Sequence, residues 1–224
     1  MPSIFITGAS RGLGLEFTRQ YAAAGWSVTA ACREPSRARE LAALGVETVA
    51  LDLADPHSIR HAAEILQGRS FDILLNNAGT YGEGQQFGRL SEAEWGRVML
   101  VNAIAPLKLT EAFLPHLLAG QRKLIVFLTS KMGSIADNSS GGAYIYRSSK
   151  AALNAAVKSL SIDLAPRGVT TLLLHPGWVQ TDMGGPNATI SPAESIEGMR
   201  RQIEAVEPGQ HLKFLDYQGI HLPW

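Results

Sequence analysis

Residues 3–14 read SIFITGASRGLG, and this stretch decides the fold of the chain. A β-rich segment at 3–7 runs directly into a glycine-rich turn, Gly8 to Gly14, and a helical segment follows near 13–24. Glycines in such a turn let the backbone bend sharply and approach a pyrophosphate, whose charge meets free N–H groups at the helix start. A plain strand-to-helix turn would use the same residues, but the order of strand, turn and helix favours a dinucleotide site.

The alternation of β-rich and helical segments continues along the chain. We expect strands near 3–7, 26–32, 46–51, 71–75, 123–129, 169–174 and 212–216, and helices near 13–24, 36–44, 56–67, 91–119, 148–165 and 192–206. The apolar run from Leu124 to Leu128 has no polar alternation, which is typical of a central strand covered on both faces. These patterns predict a single-domain Rossmann fold over residues 1–224, an α/β fold whose doubly wound parallel sheet has about seven strands with helices on both faces.

Composition excludes several classes of protein. Lys plus Arg balance Asp plus Glu at 20 each, so no net charge draws the chain to nucleic acid or an anionic membrane. A single cysteine, Cys32, excludes a disulfide framework and a multi-cysteine metal site. His57 and His61 have helical metal-pair spacing, but Ser58 stands where a zinc protease needs Glu, so we expect no metal. Without a visible signal peptide or membrane span, we expect a cytoplasmic location.

The end of the second strand distinguishes NAD from NADP as the cofactor. An acidic residue there would hold the ribose 2′-hydroxyl, whereas an arginine accommodates the 2′-phosphate of NADP. The chain reads Ala31-Cys32-Arg33 at this point, and Arg11 in the glycine-rich turn lies within reach of the same phosphate. Glu34 could offset Arg33 or face solvent, and two unrelated surface arginines are the alternative. The residues favour NADP.

Tyr146 and Lys150 stand four residues apart in YRSSK, so on a helix the phenol and the ammonium share one face. A free tyrosine, with a pKa of roughly 10, is a poor acid or base near neutrality. A cation nearby favours the phenolate and lowers that pKa, so the pair is suited to proton transfer at a carbonyl. Tyr144 is a rival phenol, but its spacing to Lys150 places it on another side of the helix, where it would line the pocket.

Several motifs follow one another in order along the chain. They are TGASRGLG, Asn76-Asn77-Ala78-Gly79 after the fourth strand, Asn102 in a long helix, a serine after the fifth strand, YRSSK at 146–150, and Pro176-Gly177 after the sixth strand. Together they resemble the short-chain dehydrogenase/reductase superfamily over nearly the whole chain. The compact length, the run from Tyr144 to Asn154 and the ending GIHLPW are similar to its sniffer and C-factor carbonyl-reductase group.

The resemblance implies a set of cofactor contacts. Asp52 matches the position that contacts the adenine amino group, the stretch from Asn77 to Gly79 lines the adenine ribose, and Thr181 binds the nicotinamide carboxamide. For Asn76 and Asn77, side-chain amides that only satisfy loop backbone are an equal alternative. The expected cofactor-binding residues are Gly8, Ser10, Arg11, Gly12, Leu13, Gly14, Arg33, Asp52, Leu53, Asn77, Ala78, Gly79, Tyr146, Lys150, Pro176, Gly177, Val179 and Thr181.

The resemblance also implies the catalytic roles. Tyr146 supplies the proton, Lys150 lowers the Tyr146 pKa and binds the nicotinamide ribose, and Ser130 donates a hydrogen bond to the reacting oxygen. Asn102 matches a residue that holds a water linking Lys150 to solvent; Pro106 removes a backbone donor from that helix and could open room for the water. Ser130, Tyr146 and Trp178 are the expected substrate contacts.

The choice of serine is open because the spacing departs from the family pattern. Ser130 lies sixteen residues before Tyr146, whereas the family commonly has about thirteen, and Ser134 at twelve is a rival. Ser130 is preferred because Ser-x-x-Gly places it at a strand end with Gly133 following, the extra residues then being an insertion within 137–142. A serine that only caps loop backbone is the remaining alternative.

We therefore expect an NADPH-dependent reductase of a small-molecule aldehyde or ketone, covered by a mobile segment at 182–186. The alternative is a nucleotide-binding sensor or signalling protein that keeps the fold with little turnover. A nucleotide-sugar epimerase would share Tyr and Lys but needs an extra substrate domain for which this chain has no room. The resemblance further implies a homo-oligomer, a dimer or tetramer, paired through the helices near 91–119 and 148–165.

Overall fold

The first strand, β1 (Ser3–Thr7), occupies an inner position of a seven-stranded parallel sheet in the computed structural model, which describes residues 1–224. The other strands are β2 (Ser27–Cys32), β3 (Glu47–Ala50), β4 (Ile73–Asn76), β5 (Leu124–Leu128), β6 (Thr170–His175) and β7 (Lys213–Asp216). Their order is β3-β2-β1-β4-β5-β6-β7, and every neighbouring pair is parallel. The predicted doubly wound Rossmann fold is confirmed.

Helices cover both faces of this sheet. They are α1 (Gly12–Ala23), α2 (Arg39–Ala42), α3 (Pro56–Ile65), α4 (Glu92–Met99), α5 (Ala105–Ala119), α6 (Tyr144–Leu164) and α7 (Pro192–Glu204). Because successive strand residues point to opposite faces, Ile4 and Ile6 of β1 enter the core under α1 and α7, while Phe5 enters the core under α3, α5 and α6. The sheet thus has a complete apolar core on each side, as its uninterrupted apolar strands require.

The helix α6 begins at Tyr144, four residues before the start expected from the sequence. No side chain next to the helix caps it. Gln85, in the loop after β4, does so from a distance, because its Oε1 accepts from Tyr146 N at 3.0 Å and its carbonyl accepts from Tyr144 N at 3.3 Å. Two of the free N–H groups at the helix start are satisfied in this way. Tyr146 therefore lies within the first turn of the helix.

The long helix expected at 91–119 is continuous but widened in the middle. A π-helical turn, Leu100–Ile104, separates α4 from α5, and Ala105 N donates to the carbonyl of Leu100, five residues back. Pro106 has no N–H to give to the carbonyl of Asn102, so the regular i,i+4 bonding is interrupted at that residue. Single π turns of this kind are frequent at functional sites.

The combined stretch Glu92–Ala119 is long and apolar enough to cross a membrane by composition alone, with a mean hydropathy of 1.3 in its most apolar window. Leu109, Phe113 and Leu117 are among its apolar residues, and they are buried in the core against the sheet. A helix of the protein interior has the same composition.

The helix expected at 36–44 is broken into a short 3₁₀ turn, Pro35–Arg37, and the four residues of α2. Of the residues in these two pieces and between them, only Ala38 and Leu41 are buried, so there is too little apolar surface to hold a longer helix against the sheet. The break leaves the chain just after β2 open to solvent. Arg33, directly after β2, is exposed there.

Candidate active site

A cleft of about 690 Å³ lies at the carboxyl ends of β1, β2, β4, β5 and β6. The chain passes from β3 at one edge to β4 beside β1, so the cleft lies at the point where strand order reverses, the usual ligand site of an open parallel sheet. All the expected cofactor-binding residues line it except Gly177 and Val179.

Those two residues have packing roles instead. Val179 is buried and forms an isolated β-bridge with Ile190. Gly177 has a φ of 84° and faces Ile190 and Tyr217, against which a side chain would collide. Both hold the base of the loop after β6 in place.

The turn between β1 and α1 is built for close backbone approach. Gly8 has a φ of 67°, and a Cβ there would lie 2.9 Å from the Cα of Ala78. A Cβ on Gly14 would overlap the Gly8 carbonyl and lie 2.6 Å from Asn77 Nδ2. Asn77 in turn donates from Nδ2 to the carbonyl of Thr7 at 2.8 Å. The Asn77 amide therefore ties two loops together, and the turn presents bare backbone to the cleft, as pyrophosphate binding requires.

Two arginines flank the outer end of the cleft. Arg33 is exposed and makes no ion pair in the structure, because its neighbour Glu34 pairs with Arg37 at 3.3 Å. Glu34 therefore does not neutralise Arg33. Arg11 pairs with Asp182 of the loop after β6 at 3.0 Å, and both side chains are exposed. Between them, the two guanidinium groups give this end of the cleft the character of an anion site.

Asp52 and Leu53, directly after β3, also line the cleft. The Asp52 carboxylate accepts from the backbone N of Ala54 at 2.9 Å, while the hydroxyl of Ser58 accepts from Asp52 N. These bonds fix the loop that carries Asp52 at the same outer end as Arg33. The bare glycine turn, the two arginines and the depth of the cleft fit a phosphorylated dinucleotide.

Tyr146 and Lys150 meet at the inner end of the cleft. The Lys150 Nζ lies 5.8 Å from the centre of the Tyr146 ring and donates to the carbonyl of Leu128 at 2.9 Å. Burial lowers the pKa of Lys150 to about 8. The expectation that Lys150 lowers the pKa of Tyr146 is not met, because burial dominates and raises that pKa to about 12, with the Ser130 hydroxyl acting in the opposite direction. Tyr146 is therefore a fully protonated phenol at neutral pH.

Ser130 and Ser134 are both buried but have different partners. The Ser130 hydroxyl acts on Tyr146 by lowering its pKa, and it caps a 3₁₀ turn, Lys131–Gly133, by accepting from Met132 N at 3.1 Å. Ser134 donates to the carbonyl of Trp224 at 3.3 Å and accepts from Asp137 N at 3.1 Å. Backbone groups of Trp224 and Asp137 therefore take up the hydrogen bonds of this hydroxyl.

Gly133 sets the distance between this 3₁₀ turn and α6. A Cβ on Gly133 would lie 2.8 Å from the carbonyl carbon of Lys150 and 2.9 Å from its Cβ. Only glycine allows the turn to pack so closely, and this contact brings Ser130 to the face of α6 that carries Tyr146.

Asn102, in the π turn, connects the loop after β4 with α6. It donates from Nδ2 to the carbonyl of Thr80 at 2.8 Å and to the hydroxyl of Ser149 at 3.0 Å. Its Oδ1 accepts from Thr80 N at 2.8 Å. Both N–H groups of the amide are used by these contacts, and Pro106 leaves the Asn102 backbone carbonyl without an i,i+4 donor, so that carbonyl could accept from a water.

The loop after β6 folds over the cleft. Thr181 lines the cleft, and its hydroxyl accepts from Gly184 N at 3.2 Å. Trp178 is half exposed and donates from its indole to the carbonyl of Gly184 at 2.8 Å, so it closes this loop onto itself. Trp178 does not line the cofactor cleft. The exposed part of its ring lies on the outer side of the loop.

Sequence reasoning missed several residues near the site, and three of them make contacts that bear on its chemistry. Arg97 of α4 lines the cleft and pairs with Glu94 at 2.7 Å. Tyr81 packs its ring against Tyr146 with the ring centres 4.8 Å apart. Gln85 caps α6 as described above. Only Tyr81 had a usable signal, an aromatic residue two positions after Asn-Ala-Gly; the other two contacts depend on tertiary structure.

Comparison with known proteins agrees with the resemblance that the sequence motifs indicated. The family model for short chain dehydrogenases matches residues 2–190. The C-signal protein of Myxococcus xanthus is 50% identical over 153 residues, which are 68% of this chain and 92% of that protein. The carbonyl reductase Sniffer of D. melanogaster superposes with a TM-score of 0.91 at 32% identity, over 100% of both chains. The NADPH-bound carbonyl reductase from chicken fatty liver superposes with a TM-score of 0.90 at 33% identity, over 100% of this chain and 99% of the other.

Proposed function

The chain belongs to the short-chain dehydrogenase family of oxidoreductases, and on that premise we propose that it reduces an aldehyde or ketone to an alcohol with NADPH. The observation that carries this proposal is that Tyr146 and Lys150 meet at the inner end of a dinucleotide-sized cleft, with the buried Ser130 hydroxyl acting on Tyr146 from behind the lining. The similar carbonyl reductase from chicken fatty liver, which binds NADPH, supports the choice of reaction and cofactor.

In this proposal the residues of the cleft divide the work of reduction. NADPH, held by the glycine-rich turn and the two arginines, would supply the hydride. Tyr146 gives its proton to the carbonyl oxygen, and Ser130 donates a hydrogen bond to the same oxygen as negative charge develops there. The raised pKa of Tyr146, about 12, keeps the phenol protonated and favours the reducing direction. The buried Lys150 ammonium faces the phenolate that remains and restores its proton.

NADPH is favoured over NADH by the charge at the outer end of the cleft. Arg33 is free of ion pairs, and Arg11 is held only by an exposed pair with Asp182, which contributes about 1 kcal/mol or less. A 2′-phosphate carries more charge than the Asp182 carboxylate and accepts hydrogen bonds from both guanidinium groups.

The test is NADPH oxidation with a panel of aldehydes and ketones, comparing the wild type with Tyr146→Phe. Loss of the general acid should lower kcat by about 10²- to 10⁴-fold while the Kd for NADPH changes little. Tyr144→Phe is the matched control, since it removes the neighbouring phenol, and it should keep wild-type kcat. Full turnover by Tyr146→Phe would reject Tyr146 as the acid.

A second candidate function is signalling without turnover. Its specific support is the 50% identity to a protein named C-signal. A signalling protein that keeps the fold would bind NADPH tightly and leave every carbonyl in the panel unreduced. The same assay therefore separates the two candidates, because in that case the wild type and Tyr146→Phe would be equally inactive.

We further propose a homo-oligomer located in the cytoplasm. Ile104, in the π turn, is about half exposed, and Ile162, on α6, is well over half exposed. They lie on the two helical stretches that the family commonly pairs across subunits. A second copy of the chain would cover them. Cys32 is a free buried thiol, as suits a reducing compartment. Sedimentation of the wild type against Ile162→Lys checks the assembly.

A further inference from the structure

Tyr81 contacts the proposed catalytic tyrosine without being part of the motif that identifies it. Its ring centre lies 4.8 Å from that of Tyr146, with 36° between the ring planes, which is within the distance at which aromatic pairs interact. Tyr146 is only 8% exposed, whereas Tyr81 is 38% exposed. One part of the Tyr81 ring therefore packs against Tyr146, and another part is open to solvent.

The position of Tyr81 is fixed by hydrogen bonds on both sides. The preceding residue, Thr80, is held through its N–H and its carbonyl by Asn102, both at 2.8 Å. The Tyr81 carbonyl accepts from Gln85 Nε2 at 2.6 Å. The other atom of the same amide, Gln85 Oε1, accepts from Tyr146 N. One side chain thus binds the backbones of both tyrosines and fixes their rings relative to each other.

Charged groups near this face are used elsewhere. Lys131 and Asp137, in the segment after β5, pair with each other at 3.4 Å. Arg147, next to Tyr146, bonds to the hydroxyl of Ser140 at 2.9 Å. What remains exposed beside Tyr81 and Tyr146 is the aromatic ring of Tyr144 on the same helix. Arg97 reaches the Thr80 hydroxyl at 3.5 Å and is paired with Glu94, so these charged groups near Tyr81 are all in ion pairs or hydrogen bonds, and the rings of Tyr81 and Tyr144 are the exposed apolar surface.

From this geometry we propose that Tyr81 is a positioning and specificity-determining residue: one face of its ring orients the Tyr146 phenol, and the exposed face receives a planar, uncharged group attached to the substrate carbonyl. This inference rests on the proposed reductase function. It adds that carbonyl compounds with a planar unsaturated ring are preferred over saturated ones of equal size, because only a flat ring can stack against the tyrosine.

A charge effect of Tyr81 supports the same contact. The Tyr81 phenol is one of the groups that raise the pKa of Tyr146, which places the two phenols within electrostatic range. Removing the Tyr81 hydroxyl should therefore lower the pKa of Tyr146. Because Lys150, with a pKa of about 8, loses its proton first, this shift is measured by ultraviolet titration of the phenols and not from kcat.

The experiment compares acetophenone with cyclohexyl methyl ketone, its saturated analogue, in the wild type, Tyr81→Leu and Tyr81→Phe. We expect Tyr81→Leu to lower the ratio of kcat/KM for acetophenone over the saturated ketone by about tenfold, since an aromatic pair is lost. Tyr81→Phe should keep that ratio and move the ultraviolet titration of Tyr146 to lower pH. Phe87→Leu is the control from the same loop, where the ring packs on Tyr144 and not on Tyr146, and it should change neither quantity.

The outcomes separate this inference from the proposed function. If the wild type binds NADPH and reduces neither ketone nor any other carbonyl, the reductase function fails. If the wild type is active but Tyr81→Leu slows both ketones equally, or Tyr81→Phe leaves the ultraviolet titration of Tyr146 unchanged, the role of Tyr81 is overturned. Should Tyr81→Leu fail to fold, the ketone ratio of Tyr81→Met, which also lacks a planar ring, decides the question against that of Phe87→Leu.

Discussion

The two ends of the cleft are constructed from different parts of the chain. At the cofactor end the surface is mainly backbone, with Gly8 and Gly14 so close to neighbouring atoms that no side chain fits. At the substrate end side chains come together from three segments: Tyr81 from the loop after β4, Ser130 from the loop after β5 and Tyr146 from the first turn of α6. The first end is rigid and offers a generic anion site, whereas the second is shaped by residues that loops can exchange freely.

This difference explains how one fold serves many reactions. A backbone cradle depends on a few glycines and a helix start, so it binds the same cofactor whatever the loops contain. The substrate end depends on contacts between distant segments, such as Gln85 with α6. Substitutions at the cofactor end should therefore disturb folding and cofactor binding together, and those at the substrate end should change turnover alone.

The largest effect is expected for Gly14→Ala. The added Cβ would overlap the Gly8 carbonyl and crowd Asn77, so the turn must open. We expect the free energy of unfolding to fall by about 3 kcal/mol, as for other overpacked sites, and the Kd for NADPH to rise by about 100-fold. Urea unfolding and NADPH fluorescence titration measure the two quantities.

Gly96→Ala is the control for this substitution, because Gly96 lies in α4 with nothing within 4 Å of its added Cβ. Its helix propensity should raise stability by about 0.5 to 1 kcal/mol with no effect on NADPH binding. If Gly14→Ala instead folds and binds NADPH as well as Gly96→Ala does, a side chain fits at Gly14, and the contrast between the two ends of the cleft is wrong.

The next largest effect tests the substrate end with a pair of serines. Ser130→Ala removes the proposed donor to the reacting oxygen and should lower kcat by about 100-fold. Ser134→Ala should keep kcat and lose about 1 kcal/mol of stability, because its hydroxyl only bonds the segment at Asp137 and Trp224. Steady-state kinetics with thermal unfolding distinguishes them, and a larger loss of kcat in Ser134→Ala would exchange their roles.

The sequence predicted the parts of the molecule that depend on neighbouring residues. The run SIFIT, the glycines after it and the alternation of strands with helices are local patterns, and all seven strands lie where they were expected. The cofactor residues follow the same logic, since those found at the cleft mostly lie directly after a strand. Each of these features is determined by residues that lie within about ten positions of it along the chain.

The parts that could not be predicted depend on contacts between distant segments. The start of α6 is set by Gln85, and the partner of Ser134 is Trp224, so neither could be known before the fold. The pKa of Tyr146 is decided by burial, which overrides the nearby Lys150. The spacing of Tyr146 and Lys150 gives their proximity but not the depth at which they lie, and depth sets the sign of the pKa shift.

The burial of Lys150 gives a prediction about stability and pH. Its pKa falls from 10.5 in the unfolded chain to about 8 in the folded one. Between these values the unfolded chain binds a proton that the folded chain has released, so stability rises with pH. Relative to Lys150→Met, the wild type should gain about 2 kcal/mol in free energy of unfolding between about pH 7.5 and about pH 9.5.

Urea unfolding of both proteins at the two pH values measures this gain. The range stays below pH 10, because the raised pKa of Tyr146 makes stability fall with pH between 10 and about 12. Parallel pH dependence in the wild type and Lys150→Met would mean that Lys150 is solvated in the folded chain. The inner end of the cleft would then be wet, and its contrast with the open outer end would be lost.

The smallest effect is expected where the cofactor end relies on a side chain instead of backbone. Arg33 is exposed and free, so replacing it with Ser should remove one solvated contact to the 2′-phosphate and lower kcat/KM for NADPH by about tenfold. NADH, which lacks that phosphate, should be used as well as before. Arg39→Ser, an exposed arginine of α2 outside the cleft, is the control. An equal loss with NADH would mean that Arg33 supports the adenosine pocket itself, and selectivity would then have to come from Arg11 in the glycine-rich turn.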